Sequence, residues 1–202
     1  MIQYFDTHAH YDSGKFNADR DEVLRAVHDS GVALVVDPGV TSERAVALAQ
    51  AHDFVYAAVG WHPEEADSWT DGSLAHIRAL AAQPKVCAIG EIGLDYYWDA
   101  STKAKQERMF RAQLELALEL DLPVIVHDRE AHGDSLRIVC DYPQLRGVFH
   151  CYSGSVEMAH ELLRRGWYLG FDGPITYKNA AKAPEVIAAC PVERILLETD
   201  SP

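Results

Sequence analysis

The sequence predicts an α/β protein built as a closed parallel (β/α)8 barrel, and three observations predict it. Short β-rich runs recur eight times, at 3–7, 33–37, 55–60, 86–91, 124–127, 147–150, 167–171 and 195–198. A helix-like segment lies between most of them. Several runs are apolar on both faces, as strands are when helices cover a sheet outside and side chains fill it inside. Eight strands with crossovers between them is the count of a closed barrel. A doubly wound open sheet is the competing arrangement, because most crossovers are short for a barrel.

Taken in order, the runs QYFDT, ALVVD, VYAAVG, VCAIGE, VIVH, GVFH, WYLGF and ILLE are rich in β-branched and aromatic residues, which favour strands. Helical patterns fall at 19–29, 42–52, 73–82, 102–120, 134–141, 155–165 and 179–189. The clearest is 102–120, where Phe110, Leu114, Ala117 and Leu118 share one face and Lys103, Lys105, Arg108 and Arg111 turn towards solvent. Ser42 and Ser155 open their segments as capping residues. Without a Gly/Ser linker or a low-complexity tract, residues 1–202 read as one domain. The sequence ends at Pro202, directly after the eighth run. A full barrel needs a further helix to cover that strand, so a distorted barrel lacking its final helix or helices is expected.

Hydrophobic residues make up 48% of the 202 residues and charged residues 24%, which fits a folded globular chain rather than a disordered one. The formal net charge of −13 excludes a basic footprint for passive binding of duplex nucleic acid. A phosphate ligand would have to be held by local cations, and metal ions supply them. The start MIQYFDTHAH lacks the basic and apolar regions of a secretory signal. Apolar stretches such as VALVV at 32–36 are too short to span a membrane. Cys87, Cys140, Cys151 and Cys190 form no CxxC pair and read as small buried hydrophobes in a reducing cytoplasm.

The chemistry concentrates at strand ends. His8 and His10 follow the first run, His62 the third, His127 the fifth and His150 the sixth; Glu91 and Asp200 end the fourth and eighth. Residues at i and i+2 of a strand point the same way, so His8 and His10 can grip one cation. In a closed barrel all the strand ends surround one mouth. Glu91, His127, His150 and Asp200 would converge there with the His-x-His pair. Four imidazoles and two carboxylates exceed the needs of one tetrahedral zinc and suit two divalent metals that share a carboxylate. His28, His52, His76, His132 and His160 fall on helices or helix starts and read as solvent-facing.

Six blocks carry a resemblance: FDTHAHYD at 5–12, VGWHPEEA at 59–66, IGEIGLDYY at 89–97, VIVHDREAHGD at 124–134, FHCYSGS at 149–155 and LLETDSP at 196–202. With them the chain resembles, over nearly its full length, the TatD family of metal-dependent deoxyribonucleases, a branch of the amidohydrolase-like barrels. The resemblance implies a distorted TIM barrel. It implies one metal on His8, His10, Glu91 and Asp200, and a second on Glu91, His127 and His150. It also implies exonuclease activity, in line with an acidic surface suited to single-stranded ends. Glu91 stands where other amidohydrolases carry a modified lysine.

The expected reaction is phosphodiester hydrolysis assisted by two divalent ions (zinc, magnesium or manganese). Asp200 would orient the attacking water and accept its proton, with Glu91 and His62 completing the catalytic set. His62 and Arg129 would bind the phosphate, Arg129 through its bidentate fork, and Asp95 would buttress a loop or a ligand histidine. Trp61, Tyr96, Tyr97, Trp98, Tyr152 and Tyr177 crowd the same loops, and one or two could stack on bases. Two other readings keep the metals: a deacylase cleaving the ester of a D-aminoacyl-tRNA, and a non-catalytic metal-binding remnant.

Overall fold

The computed structural model describes residues 3–178 and 180–202. Among these, eight strands form one sheet: β1 (Tyr4–Asp6), β2 (Val32–Asp37), β3 (Val55–Val59), β4 (Val86–Asp95), β5 (Val124–Arg129), β6 (Gly147–Phe149), β7 (Tyr168–Phe171) and β8 (Ile195–Leu197). Between them run α1 (Arg20–Asp29), α2 (Ser42–Ala51), α3 (Ser73–Ala81), α4 (Lys103–Leu120), α5 (His132–Cys140), α6 (Val156–Arg164) and α7 (Ala183–Ala189), with short 3₁₀ turns in the connections. The strands pair in parallel in sequence order, β1 to β8. The open doubly wound sheet, whose strand order reverses, is thereby excluded.

The sheet curls until its first and last strands meet at their carboxyl ends. The Thr7 N–H donates to the Leu197 carbonyl at 3.1 Å, that of Asp200 to His8 at 2.9 Å and that of His10 to Ser201 at 2.7 Å. Buried Asp6 accepts from the Thr199 hydroxyl at 2.7 Å and from its backbone N–H at 3.1 Å. The fold is a nearly closed (β/α)8 barrel, as the strand count predicted.

Two apolar layers fill it. The larger lies between sheet and helices and includes Leu24, Ile77, Ile89, Phe110, Leu114, Leu162 and Trp167. The smaller takes one buried residue from each of five successive strands: Val36, Ala58, Ala88, Ile125 and Val148. His127 and His150 stand two residues beyond Ile125 and Val148, so the side-chain alternation of a strand puts them on the same face. The apolar layer is therefore the floor of a cup whose polar wall lies one step up the strands.

Several local expectations are corrected. Thr41, not Ser42, caps α2 by accepting from the Arg44 N–H at 3.4 Å, while the Ser42 hydroxyl donates to the Gly60 carbonyl at 2.9 Å. Ser155 does cap α6, through the Met158 N–H. On α4, Leu118 faces out, and Gln106 and Gln113 are buried instead. Each glutamine clamps the backbone of one residue at or just past a strand end. Gln106 accepts from the Asp95 N–H at 2.9 Å and donates to its carbonyl at 2.8 Å; Gln113 does the same for Trp61 at 2.7 and 3.1 Å. The fourth strand runs four residues past Glu91, to Asp95. The helix expected over 179–189 begins at Ala183, and its residue 179 lies outside the described residues. The thiols are free, but only Cys190 is buried; Cys87, Cys140 and Cys151 are half-buried. No described helix is long and apolar enough to cross a membrane.

Candidate metal centre

At the carboxyl end of the barrel, Glu91 stands in a ring of imidazoles. One carboxylate oxygen, Oε2, lies 3.2 Å from His8 Nε2 and 3.6 Å from His10 Nε2. Both imidazole nitrogens are 3.6 Å from Asp200 Oδ1 and 3.2 Å from each other. The other oxygen, Oε1, lies 2.7 Å from His127 Nδ1, 2.7 Å from His150 Nε2 and 3.4 Å from His62 Nε2. The rings of His8 and His150 stack at 3.9 Å. Sequence spacing suggested that six residues meet here with His62 at the same mouth; the structure brings the six together and places His62 against Glu91.

Each side chain is placed by the strand beneath it. His8 is fully buried, and Asp6, two residues before it, is tied to Thr199. Asp200 sits at a left-handed φ of 50°, a conformation that aspartate tolerates better than most residues, and its carboxylate lies beside the two β1 histidines. His127 is held from both sides, by Glu91 and by Asp95 Oδ2 at 2.9 Å from its Nε2. Gly93, at φ 144°, crosses the strand so closely that a Cβ would strike the His127 carbonyl.

Burial and neighbours set the charges. Burial, helped by His150, pushes the His8 imidazole down to about 4, so it is neutral at neutral pH, the form that binds a metal. Burial opposes a charge on His127 too, but its hydrogen bonds to Asp95 and Glu91 outweigh that and raise it to about 10. For Glu91, burial opposes ionisation, yet His150, His8, His62 and the His127 hydrogen bond hold it well below the ordinary carboxylate range.

These donors fit divalent metal ions. Imidazole nitrogens of His8 and His10 confront each other at 3.2 Å, and two nitrogens can share only one hydrogen between them. The separations of 3.2 to 3.6 Å among the donor atoms of His8, His10 and Glu91 are close to the edge of a tetrahedron with corners about 2.1 Å from its centre, the usual zinc–nitrogen and zinc–oxygen distance, and Asp200 Oδ1 stands at 3.6 Å from both histidines. Nδ1 of His8, His10 and His150 is buried without a hydrogen-bond partner among the described residues. His8–His10–Glu91 and His62–Glu91–His127 each bring one donor atom per residue within 4.8 Å of the others.

Over residues 5–202 the chain matches the family model of TatD related DNases. It belongs to that family. As a TatD-family member it is a hydrolase. It is 43% identical over 203 residues to the Bacillus subtilis protein named uncharacterized metal-dependent hydrolase YabD, covering 98% of this chain and 80% of that one. It is 38% identical over 204 residues to the 3′-5′ ssDNA/RNA exonuclease TatD of Cronobacter sakazakii, covering 98% and 78%. The crystal structure of the TatD homologue YjjV from Escherichia coli superposes with a TM-score of 0.90 at 36% identity, over 98% of this chain and 78% of that one. An organophosphorus hydrolase from Deinococcus radiodurans, at 16% identity and a TM-score of 0.66, shares the fold.

The remaining expected residues take distinct places. Arg129 pairs with neither Glu130 nor Asp134; its guanidinium lies 3.9 Å from the Tyr97 ring centre and 5.4 Å from that of Trp98. Asp134 is occupied by Lys103 and Arg137. Asp95 buttresses both a histidine and a loop, since its Oδ1 accepts from the Tyr97 N–H at 2.9 Å. Tyr152 is buried and hydrogen-bonded to Ser155, which removes it from the possible stacking surfaces. Tyr97, Trp98 and Tyr177 are exposed.

Glu198 and Asp37 are among the buried acids that went unnoticed in the sequence. Glu198 accepts from the Cys151 N–H, lies 3.8 Å from His150 Nδ1 and fills the space that Gly170 leaves for want of a side chain. Burial raises it to about 7. Its signal was the Glu-x-Asp spacing with Asp200, the carboxylate counterpart of His8-x-His10. Asp37 accepts from the Asp12 N–H at 3.0 Å and the Gly39 N–H at 2.8 Å; as the last residue of β2 it looked like an ordinary strand end.

Proposed function

We propose that this protein is a two-metal phosphodiester hydrolase acting on single-stranded DNA ends, with residues 1–202 forming one hydrolase barrel domain. The observation that carries the reading is Glu91: its two oxygens face two different sets of nitrogens, as a carboxylate shared by two ions would. His8, His10, Glu91 and Asp200 would hold one ion, and Glu91, His127 and His150 the other. Zinc suits the imidazoles, and magnesium or manganese the carboxylates. Divalent ions held there would neutralise charge on the phosphate and lower the pKa of coordinated water.

The chain's own groups do the rest. Asp200, 37% exposed at the lip of the cup, is free enough to orient the attacking water and take its proton at Oδ. His62 Nε2 faces the same space and donates to a phosphate oxygen as charge develops there. Arg129, stacked but without a carboxylate partner among the described residues, offers a planar fork to a phosphate of the strand. Free thiols suit a reducing cytoplasm. The similarity to proteins named ssDNA/RNA exonucleases supports a nucleic acid substrate.

The test is a metal-loaded sample given an end-labelled single-stranded oligonucleotide and, separately, a D-aminoacyl-tRNA. Shortening of the oligonucleotide is expected; turnover of the tRNA ester alone rejects the proposal. Glu91→Ala should lose both metals by elemental analysis and reduce kcat by about three orders of magnitude or more. Near-wild-type metal content would refute the shared-carboxylate role.

A further inference from the structure

Two ligand histidines each keep one nitrogen that the hydrolysis does not use. His8 and His150 direct Nε2 at the two oxygens of Glu91, at 3.2 and 2.7 Å. Their rings stack 3.9 Å apart and 6° from parallel. The two nitrogens of an imidazole face away from each other, so both Nδ1 atoms are directed away from Glu91. Both are buried without a hydrogen-bond partner among the described residues. A neutral imidazole that gives one nitrogen to a metal carries its hydrogen on the other. Each of these Nδ1 atoms would therefore be a buried donor in need of an acceptor.

Glu198 stands where that acceptor is wanted. Its side chain is fully buried, with Oε1 3.8 Å from His150 Nδ1. His8, His150 and Glu198 each bring one donor atom within 4.8 Å of the others. Oε1 already takes the Cys151 N–H, while Oε2 is buried without a partner among the described residues. The carboxylate fits because residue 170 is glycine, where a Cβ would strike Oε2. Two donors and one free acceptor thus share one buried spot, at a spacing that one bridging water spans. Asp95 serves His127 in the same way, 2.9 Å from its Nε2, but His127 belongs to one ion alone. His8 and His150 belong to different ions.

We infer that Glu198 is a positioning residue shared by both halves of the centre: it accepts the Nδ1–H of His8 and of His150, directly or through one bridging water, and so fixes the tautomer and ring plane of one ligand of each ion. A carboxylate in that place also makes the imidazoles better donors. This rests on the two-metal reading above and adds to it a single buried group on which both ions depend.

The experiment uses Glu198→Gln, which keeps the size of the side chain and removes its charge and one acceptor. In EDTA its thermal unfolding midpoint should be no lower than that of wild type. Competition for zinc against a chelator should nonetheless show both sites weakened about tenfold or more, whereas Asp95→Asn should weaken only one. NMR on isotope-labelled histidines of the zinc-loaded wild type should find the Nδ1–H protons of His8 and His150 protected from exchange, and both should shift in Glu198→Gln. A side chain that merely fills the space beside Gly170 gives another result, because glutamine fills it equally: zinc affinity and imidazole signals both unchanged. That result, weakening at one site only, or an Nδ1 without a proton in the zinc-loaded wild type overturns the inference. Two ions bound by wild type and bound as tightly by Glu198→Gln leave the two-metal reading standing and remove only the role of Glu198. Fewer than two ions bound by wild type overturns both.

Discussion

A buried carboxyl is costly to ionise, and this barrel buries several around its mouth. Asp37 is fully buried beside Asp12, and those two facts push it up to about 7 despite the N–H groups it accepts from. The folded state therefore keeps a proton that the unfolded chain gives up near pH 4. The stability this contributes is complete below pH 4 and is lost as pH rises through about 7, with a slope of at most about 1.4 kcal/mol per pH unit. Asp37→Asn removes the titration. In EDTA, its unfolding free energy in urea should fall less steeply between pH 5 and 7.5 than that of wild type, and an equal slope would contradict the assignment. The histidines that meet Glu91 were legible one by one because His-x-His and strand-end positions are local patterns. Gln106 and Gln113 were not, because a polar side chain reveals its burial only through partners far away in the chain.

Strands and helices act here as positioning devices. β4 carries Glu91 and Asp95 on one continuous run, and its pairing with β5 sets Gly93 opposite His127. The two strands approach so closely there that only a residue without a side chain fits. Gly93→Ala should push the end of β5 aside and carry His127 with it. The expected outcome is a fall in kcat of about a hundredfold with the second metal bound more weakly, measured by turnover and by metal titration; wild-type values for both would refute the coupling. α4 serves the site from outside, since its two buried glutamines fix the ends of β3 and β4. Its apolar periodicity was readable, and its outward Leu118 was not, because the helix buries a polar stripe where the pattern predicted an apolar one.

At the scale of the whole molecule, closure decides whether there is a site at all. His8 and His10 come from just beyond the first strand and Asp200 from beyond the last, and the join between them rests on Asp6, Thr7 and Thr199. Asp6→Ala removes both bonds to Thr199 and leaves its hydroxyl and N–H without that partner. It should destabilise the protein by about 1–3 kcal/mol and weaken metal binding at His8, His10 and Asp200 more than at His127 and His150. Thermal unfolding with and without added zinc checks both parts. A loss of stability with unchanged zinc protection would separate the join from the metal centre.

By itself the sequence determined the barrel and its ring of donors. Strand periodicity, the count of eight and the placing of histidines and acids at run ends are all properties of neighbouring residues, and a parallel barrel brings every such end to one mouth. Tertiary structure decided how the ring divides around Glu91, which acids lie buried beneath it and where Arg129 points. Those depend on distances between segments remote in sequence, which packing sets and no local pattern records.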